Sequence, residues 1–103
     1  MLLLFAVLRL GDDGYGAAVA AEIESRTGRE VAHGAVYTGL DRLEARGLLA
    51  STLGTPTAGR GGRPRRYYRL EAAGEASLAR SIDAIDRIAD GMRDALPQRD
   101  GGS

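Results

Sequence analysis

The sequence predicts a mostly α-helical domain with one small two-stranded β-hairpin. Three apolar segments with helical spacing come first, two strand-like segments joined by a Gly- and Pro-rich loop follow, and a segment with heptad spacing comes last. The 103 residues suffice for one domain with a modest core. We therefore expect three helices and the hairpin over residues 1–70, a C-terminal helix over 71–96 and a flexible tail over 97–103.

The first two helices are predicted from their apolar residues and from the turns that separate them. A dense apolar start forms a short helix that ends near Leu10, because a Gly-Asp-Asp-Gly turn follows. The second helix covers Tyr15 to Arg26, and Gly28 is placed to end it.

The third helix, expected over residues 34–46, has two contrasting faces. Its apolar stripe consists of Val36, Leu40 and Leu43, and Gly47 follows as a stop signal. On a helical wheel, the opposite face presents small and polar side chains: Gly34, Ala35, Thr38, Asp41, Arg42 and Ala45. Such a face is typical of a solvated amphipathic helix, and it equally suits a close approach to another molecule.

The hairpin is predicted from two strand-like segments, 48–53 and 65–70, which a loop rich in Gly, Pro and Thr connects. In the second strand, side chains alternate and Leu70 points to the core. Tyr68 is therefore expected to pack, and Tyr67 to be more exposed. Cations concentrate in the loop and in this strand: Arg60, Arg63, Arg65, Arg66 and Arg69.

Charge is distributed unevenly along the chain, although the total is zero. Residues 1–44 carry four Arg against seven acidic residues, 45–70 carry six Arg and no acidic residue, and 71–103 carry four Arg against seven acidic residues. The balance is therefore −3, +6 and −3, and the hairpin is a basic segment. A cluster of cations of this kind is typical of a surface that binds nucleic acid.

Three helices followed by a basic hairpin make up the layout of a winged helix-turn-helix, in which the hairpin is the wing. A helix fits the major groove of B-form DNA, which is about 12 Å wide, and a basic wing reaches phosphates or the minor groove. Thr38 can hydrogen-bond to a base, and Arg42 can bind guanine or a phosphate. Asp41 would repel phosphates, so we expect it to pair with neighbours of Arg42 or to accept a hydrogen bond from cytosine. The candidate DNA-binding residues are Gly34, Ala35, Thr38, Arg42, Arg60, Arg63, Arg65 and Arg66.

The C-terminal helix carries a repeating apolar stripe. Steps of 4, 3, 4, 3 and 4 positions separate Leu78, Ile82, Ile85, Ala89, Met92 and Leu96. This is the a/d spacing of a coiled coil over nearly three heptads. Because a three-helix winged domain can close its own core, the stripe is predicted to be a dimerisation seam as well as core.

The composition argues against several kinds of site. Without cysteine the chain forms no disulfide and no thiolate metal site, and a single histidine cannot supply a multi-histidine site. We therefore expect no cofactor, no metal and no enzymatic activity. That histidine, His33, lies at the start of the third helix. Two roles are possible for it: a contact with a phosphate, or partial packing against the domain.

The apolar segment 1–10 is too short to span a bilayer, and it lacks the flanking residues of a signal peptide. A soluble cytoplasmic protein without a membrane partner is therefore expected.

A series of short motifs occurs in a specific order. They are Tyr15-Gly16, Thr27-Gly28-Arg29-Glu30-Val31, Gly34-Ala35-Val36-Tyr37, Leu40-Asp41-Arg42-Leu43-Glu44, Gly47-Leu48, Gly62-Arg63-Pro64-Arg65-Arg66-Tyr67-Tyr68-Arg69-Leu70 and Ala73-Gly74. In this order and spacing the chain resembles the PadR-like family of transcriptional regulators, over about residues 3–78.

The resemblance implies a homodimeric repressor that binds double-stranded DNA through the third helix and the wing and dimerises through its C-terminal helix. We expect an inverted-repeat operator, since a two-fold symmetric dimer reads half-sites about one helical turn apart. Tyr37 matches the family's helix tyrosine, and either a phosphate contact or a packing role is implied for it. A small-molecule effector of unknown identity is left open.

Three positions depart from the family pattern. The family usually has Ser at the position of Ala32 and Thr at that of Glu71. Both are N-cap positions, where the loss of a capping side chain costs about 1 kcal/mol. Gly39, inside the third helix, costs about another 1 kcal/mol relative to Ala. These departures concern stability more than function.

A winged helix that serves as a protein-interaction module is the alternative. Such a module would have the same helices and wing without specific DNA binding. The arginines of the wing favour the DNA-binding interpretation, because five cations within ten residues repel one another in the absence of an anionic partner.

Overall fold

The computed structural model describes residues 2–54 and 64–97. Within these ranges the elements follow the order α1 (Leu2–Leu10), α2 (Gly16–Thr27), α3 (His33–Ala45), β1 (Leu49–Leu53), β2 (Arg66–Leu70), α4 (Ala72–Ala89) and α5 (Met92–Ala95). A 3₁₀ turn over Gly11–Asp13 joins α1 to α2. The predicted class, a mostly helical winged helix-turn-helix with a two-stranded wing, is confirmed.

Glycines end α2 and α3, as the sequence indicates. Gly28 has φ 71°, and its N–H donates to the carbonyl of Glu24 at 2.8 Å. Gly47, with φ 79°, follows α3, and its N–H donates to the carbonyl of Glu44 at 2.9 Å. Glycine adopts this left-handed conformation without the steric cost of a Cβ, so each helix stops and the chain turns.

The N-cap residues of α3 and α4 provide no side-chain cap. They are Ala32 and Glu71, both with extended backbone, and neither side chain accepts a hydrogen bond from the first turn. The N–H groups at the start of each helix therefore lack the acceptor that a Ser or Thr would supply there.

The core lies between the first three helices and is closed by the hairpin and by the start of α4. Val36 and Leu40 of α3 are buried, as expected, and Leu43 is half-buried beside them. Gly39 lies where α1 crosses α3, and a Cβ there would collide with Cδ1 of Leu3. The buried residues are Leu4, Ala6, Val7, Val19, Ala20, Ile23, Val36, Leu40, Leu49, Tyr68 and Leu78.

The strands β1 and β2 pair antiparallel, with Leu49 opposite Leu70. Tyr68 is only 4% exposed, whereas Tyr67 is half-buried, so the predicted orientation of the second strand is confirmed. The backbone of β2 also reaches the segment before α2, because the N–H of Tyr68 donates to the carbonyl of Gly14 at 2.9 Å. This bond attaches the base of the wing to the helical part of the domain.

The C-terminal helical region is divided. Helix α4 ends at Ala89, and Gly91 adopts φ 74° before α5 begins at Met92. The expected single helix over 71–96 is therefore wrong beyond Ala89, and the heptad stripe is interrupted before Met92 and Leu96. Apolar spacing does not reveal such a break, because it depends on the backbones of Asp90 and Gly91 leaving the helical conformation.

The stripe of α4 also has two parts. Leu78, expected at the start of the dimerisation seam, is 2% exposed and packs in the core of its own chain. Further along the helix, Ile82, Ile85 and Ile88 are 39%, 53% and 78% exposed. The first turns of α4 thus belong to the winged domain, and the later turns leave an apolar face uncovered.

No helix in residues 2–54 and 64–97 combines the length and the apolar character needed to cross a bilayer. Of the expected tail, residues 98–103 lie outside the described residues.

Candidate nucleic-acid interface

The outer face of α3 has the composition that the helical wheel predicts. Its small and polar residues are all exposed: Gly34, Ala35, Thr38, Asp41, Arg42 and Ala45. His33, the first residue of the helix, is exposed as well. Small side chains lie at the N-terminal end of this face and Arg42 lies near its C-terminal end. The backbone of the first turn is therefore open to a close approach.

Tyr37 projects from α3 towards α2. Its ring lies so close to Gly16 that a Cβ at this glycine would collide with the ring carbons. Tyr37 as a whole is nevertheless 45% exposed. A packing role is thus observed for Tyr37, and a phosphate contact stays a prediction.

Asp41 has a partner that the sequence did not indicate. Its Oδ1 accepts a hydrogen bond from the hydroxyl of Tyr68 at 3.0 Å. Burial, together with this bond to the Asp41 carboxylate, raises the pKa of Tyr68 to about 12. The donor comes from β2, whereas the sequence left open a pairing with neighbours of Arg42 and a hydrogen bond from cytosine; the bond from cytosine stays a prediction.

Arg66 lies on the side of the wing that faces α3. Its Nη1 donates to Oγ of Ser51 at 2.9 Å, and that hydroxyl donates to Oε2 of Glu44 at 2.6 Å. The chain of bonds runs from the wing through β1 to the last turn of α3. It orients the guanidinium without a direct carboxylate partner among the residues that the structure describes.

Arg65 lies over the ring of Tyr15, with Cζ 4.0 Å from the ring centroid. The ring of Tyr67 meets the same tyrosine edge-on, with centroids 5.7 Å apart and planes at 78°. In the sequence, Tyr15 is recognisable only as part of a motif that opens the second helix. Its contact with the wing was missed, because no local pattern shows which strand the residue meets.

The other wing arginines are placed differently. Arg69 follows Tyr68 in β2, so its side chain leaves the opposite face of the strand from the tyrosine that bonds to α3, and its Nη2 lies 3.8 Å from Oε1 of Glu71. Arg60 and Arg63 lie outside the described residues. Of the wing arginines that the structure describes, Arg65 and Arg66 are therefore the pair that shares a side with α3.

These two arginines line an open groove of about 440 Å³ together with α3. The groove brings together the start of α2, the exposed side of α3 and the base of the wing. Its lining residues are Tyr15, Gly16, Ala17, Tyr37, Asp41, Pro64, Arg65, Arg66 and Tyr68. Two guanidinium groups beside an exposed helix form a surface suited to an elongated anion.

Comparison with known proteins gives a family match over most of the chain. The model of the transcriptional regulator PadR-like family matches residues 4–80. The chain is 40% identical over 75 residues to the transcriptional regulator Rv3488 of Mycobacterium tuberculosis, and the match covers 73% of this chain and 65% of that protein. The resemblance to the PadR-like family that the motifs indicate is thus confirmed.

Solved structures share the fold over nearly the whole chain. A PadR family transcriptional regulator from Eggerthella lenta superposes with a TM-score of 0.69 at 25% identity, covering 95% of this chain and 83% of that one. A PadR family transcription regulator from Clostridium difficile superposes with a TM-score of 0.71 at 23% identity, covering 93% of this chain and 98% of that one. The family model and the relative Rv3488 are both those of transcriptional regulators, which agrees with the expectation that the chain is not an enzyme.

Proposed function

The chain belongs to the PadR-like family of transcriptional regulators, and on this basis we propose that it is a homodimeric repressor that binds an inverted-repeat DNA operator. The observation that carries the proposal is the groove in which Arg65 and Arg66 share a side with the exposed face of α3. Since bacterial chromosomal DNA lies in the cytoplasm, the proposal places the protein there.

In the proposed complex, α3 enters the major groove. Gly34 and Ala35 lack long side chains, so the N-terminal end of α3 can approach the base edges closely. Thr38 and Arg42 then lie within reach of bases, and their exposure in the isolated chain supports this role. Sequence preference is expected to depend on these two residues, because contacts with base edges carry the sequence information.

Phosphate contacts are proposed for the wing. Arg65 and Arg66 are the described candidates, and Arg60 and Arg63, outside the described residues, are proposed on their sequence position alone. Asp41 lies in the same groove, and the hydroxyl of Tyr68 donates to its carboxylate. That donor stabilises the negative charge and orients it towards β2, which reduces its conflict with a nearby phosphate.

A second copy of the chain is the proposed occupant of the uncovered face of α4. Ile82 and Ile85 follow Leu78 at heptad spacing, and both are exposed by more than a third of their surface. The charged residues between Leu78 and Ala89 are two Arg and two Asp, so two such faces would meet without net repulsion. Two-fold symmetry of the dimer would then require a two-fold symmetric operator.

The decisive experiment is selection of bound duplexes from a random DNA library. A palindromic motif is the expected result, and it would support both the dimer and the sequence-specific contact. If the protein does not shift any duplex at micromolar concentration and low salt, the protein-interaction module is favoured instead.

The role of the groove is tested on the selected duplex with Arg65→Gln/Arg66→Gln. Each lost phosphate contact should reduce the slope of log K against log salt by about 0.9, so the double variant is expected to lose about 2 for each protomer, or about 3.6 for the dimer. Arg69→Gln is the matched control, because this arginine leaves the opposite face of β2 from Tyr68 and lies beside Glu71. It should leave the slope close to that of the parent.

A further inference from the structure

Tyr15 occupies the junction between the helices and the wing. It is the N-cap residue of α2, and its backbone forms an isolated antiparallel bridge with Tyr67 of β2. Its neighbour Gly14 accepts the hydrogen bond from the N–H of Tyr68. The backbone of Tyr15 is therefore held against β2, and its half-buried side chain has a defined position beside the base of the wing.

The ring of Tyr15 packs against the wing. The ring of Tyr67 packs edge-on against it, and Tyr67 in turn lies over Gly54, where a Cβ would approach its Cδ2 to 3.1 Å. An edge-to-face arrangement is favourable because the positive edge of one ring meets the negative face of the other. These contacts restrict the ring of Tyr15, and Arg65 lies over it.

A ring partner affects an arginine differently from a carboxylate partner. A carboxylate would neutralise the charge and occupy N–H donors, whereas an aromatic ring attracts the cation without accepting its in-plane N–H groups. No carboxylate pairs with Arg65 in residues 2–54 and 64–97. Its rotamer is restricted by Tyr15 while its charge and its donors remain available to an anion.

We propose that Tyr15 is a positioning residue that holds Arg65 in the orientation required for a DNA phosphate. Tyr15 itself makes no phosphate contact in this proposal, and it acts through Arg65 alone. The inference rests on the proposed function, since it assumes that Arg65 binds DNA.

The test compares four variants on a short duplex: Tyr15→Leu, Tyr15→Phe, Arg65→Gln and the double variant Tyr15→Leu/Arg65→Gln. Loss of the ring should weaken binding about fivefold, the equivalent of a cation–π contact of about 1 kcal/mol. In the Arg65→Gln background, Tyr15→Leu should have almost no effect on binding, because the guanidinium that Tyr15 positions is absent. Tyr15→Phe keeps the ring face and should bind like the parent.

A structural role alone would produce a different pattern. If Tyr15→Leu weakens binding equally with and without Arg65, or if Tyr15→Phe is as weak as Tyr15→Leu, the positioning role is wrong. The second result would instead identify the Tyr15 hydroxyl as a DNA contact.

A measurement without DNA separates this inference from the proposed function. The side-chain proton resonances of Arg65 should be shifted upfield by the ring in the parent and in Tyr15→Phe, and the shift should be absent in Arg65 of Tyr15→Leu. If the side-chain proton resonances of Arg65 are not shifted in the parent, the positioning role is overturned, even if Tyr15→Leu fails to fold. If the shift is present and the parent binds no duplex, the proposed function fails, and the role towards phosphate fails with it.

Discussion

The hydroxyl of Tyr68 donates to the carboxylate of Asp41 at 3.0 Å and so joins β2 to the exposed side of α3. Tyr68 is 4% exposed, and its ring packs among the core residues. A polar contact at the edge of the core therefore supports the orientation of α3 relative to the wing. This relationship can be tested in stability as well as in DNA binding.

Tyr68→Phe should destabilise the fold by about 1 kcal/mol at neutral pH, because it removes one hydrogen bond and keeps the ring. Urea unfolding measures the effect. In an Asp41→Ala background the same substitution should cost much less, since the acceptor is already absent. Equal costs in the two backgrounds would show that the bond contributes no stability.

The raised pKa of Tyr68 predicts a loss of stability in alkali. Below pH 10 the hydroxyl is protonated in both the folded and the unfolded chain. Between pH 10 and about 12 the unfolded chain loses this proton first, so unfolding is favoured as pH rises. By pH 11 the parent should have lost about 1 kcal/mol relative to Tyr68→Phe, which lacks this hydroxyl. Urea unfolding of both proteins at pH 8 and pH 11 measures this difference. If the difference in unfolding free energy between the two proteins is the same at both pH values, the raised pKa of Tyr68 is contradicted.

Ala32→Ser should stabilise the protein by about 1 kcal/mol. Ala32 is the N-cap of α3, with extended backbone and no side-chain acceptor, and a serine hydroxyl there can accept a hydrogen bond from the first turn. The midpoint of urea unfolding is expected to increase. Ala45→Ser, at the exposed last residue of α3, is the control and should not stabilise, because serine is a poorer helix former than alanine.

Gly74→Ala should destabilise the protein by more than 1 kcal/mol, although alanine is the better helix former by about that amount. The reason is that a Cβ at Gly74 would collide with the backbone carbonyl of Leu48, which cannot move like a side chain. Gly34→Ala is the matched control, since nothing lies within 4 Å of a Cβ there. Thermal unfolding of both variants tests the contrast, and a stabilised Gly74→Ala would contradict the tight packing of α4 on the wing.

Ile82→Asp/Ile85→Asp should convert a dimer into a monomer in sedimentation. Both side chains lie on the uncovered face of α4, where two charges would be buried without partners in a dimer. The control is Arg87→Asp, a charge change at a nearby exposed position that should have a smaller effect. A parent that sediments as a monomer at all concentrations would remove the basis for an inverted-repeat operator.

Much of the fold was predictable from local patterns. Apolar spacing in residues 34–46 identifies the buried face of α3, and the left-handed residues Gly28 and Gly47 end their helices as expected. Alternation in β2 predicts the burial of Tyr68. The break at Gly91 and the burial of Leu78 in its own chain were not predicted, because heptad spacing shows which residues share a face and not what covers that face.

The sequence by itself determined the order of the first three helices, the turn into the wing and the concentration of arginine within it, since each follows from short-range spacing, composition and turn chemistry. Tertiary structure decided the partner of each wing arginine. Arg65 lies over the ring of Tyr15, Arg66 donates to the hydroxyl of Ser51, and Arg69 lies beside the carboxylate of Glu71. It also brought Asp41 to Tyr68, 27 positions away. These contacts depend on strand register and on the angle between β2 and α3, which the packing of the whole core sets and no local pattern encodes.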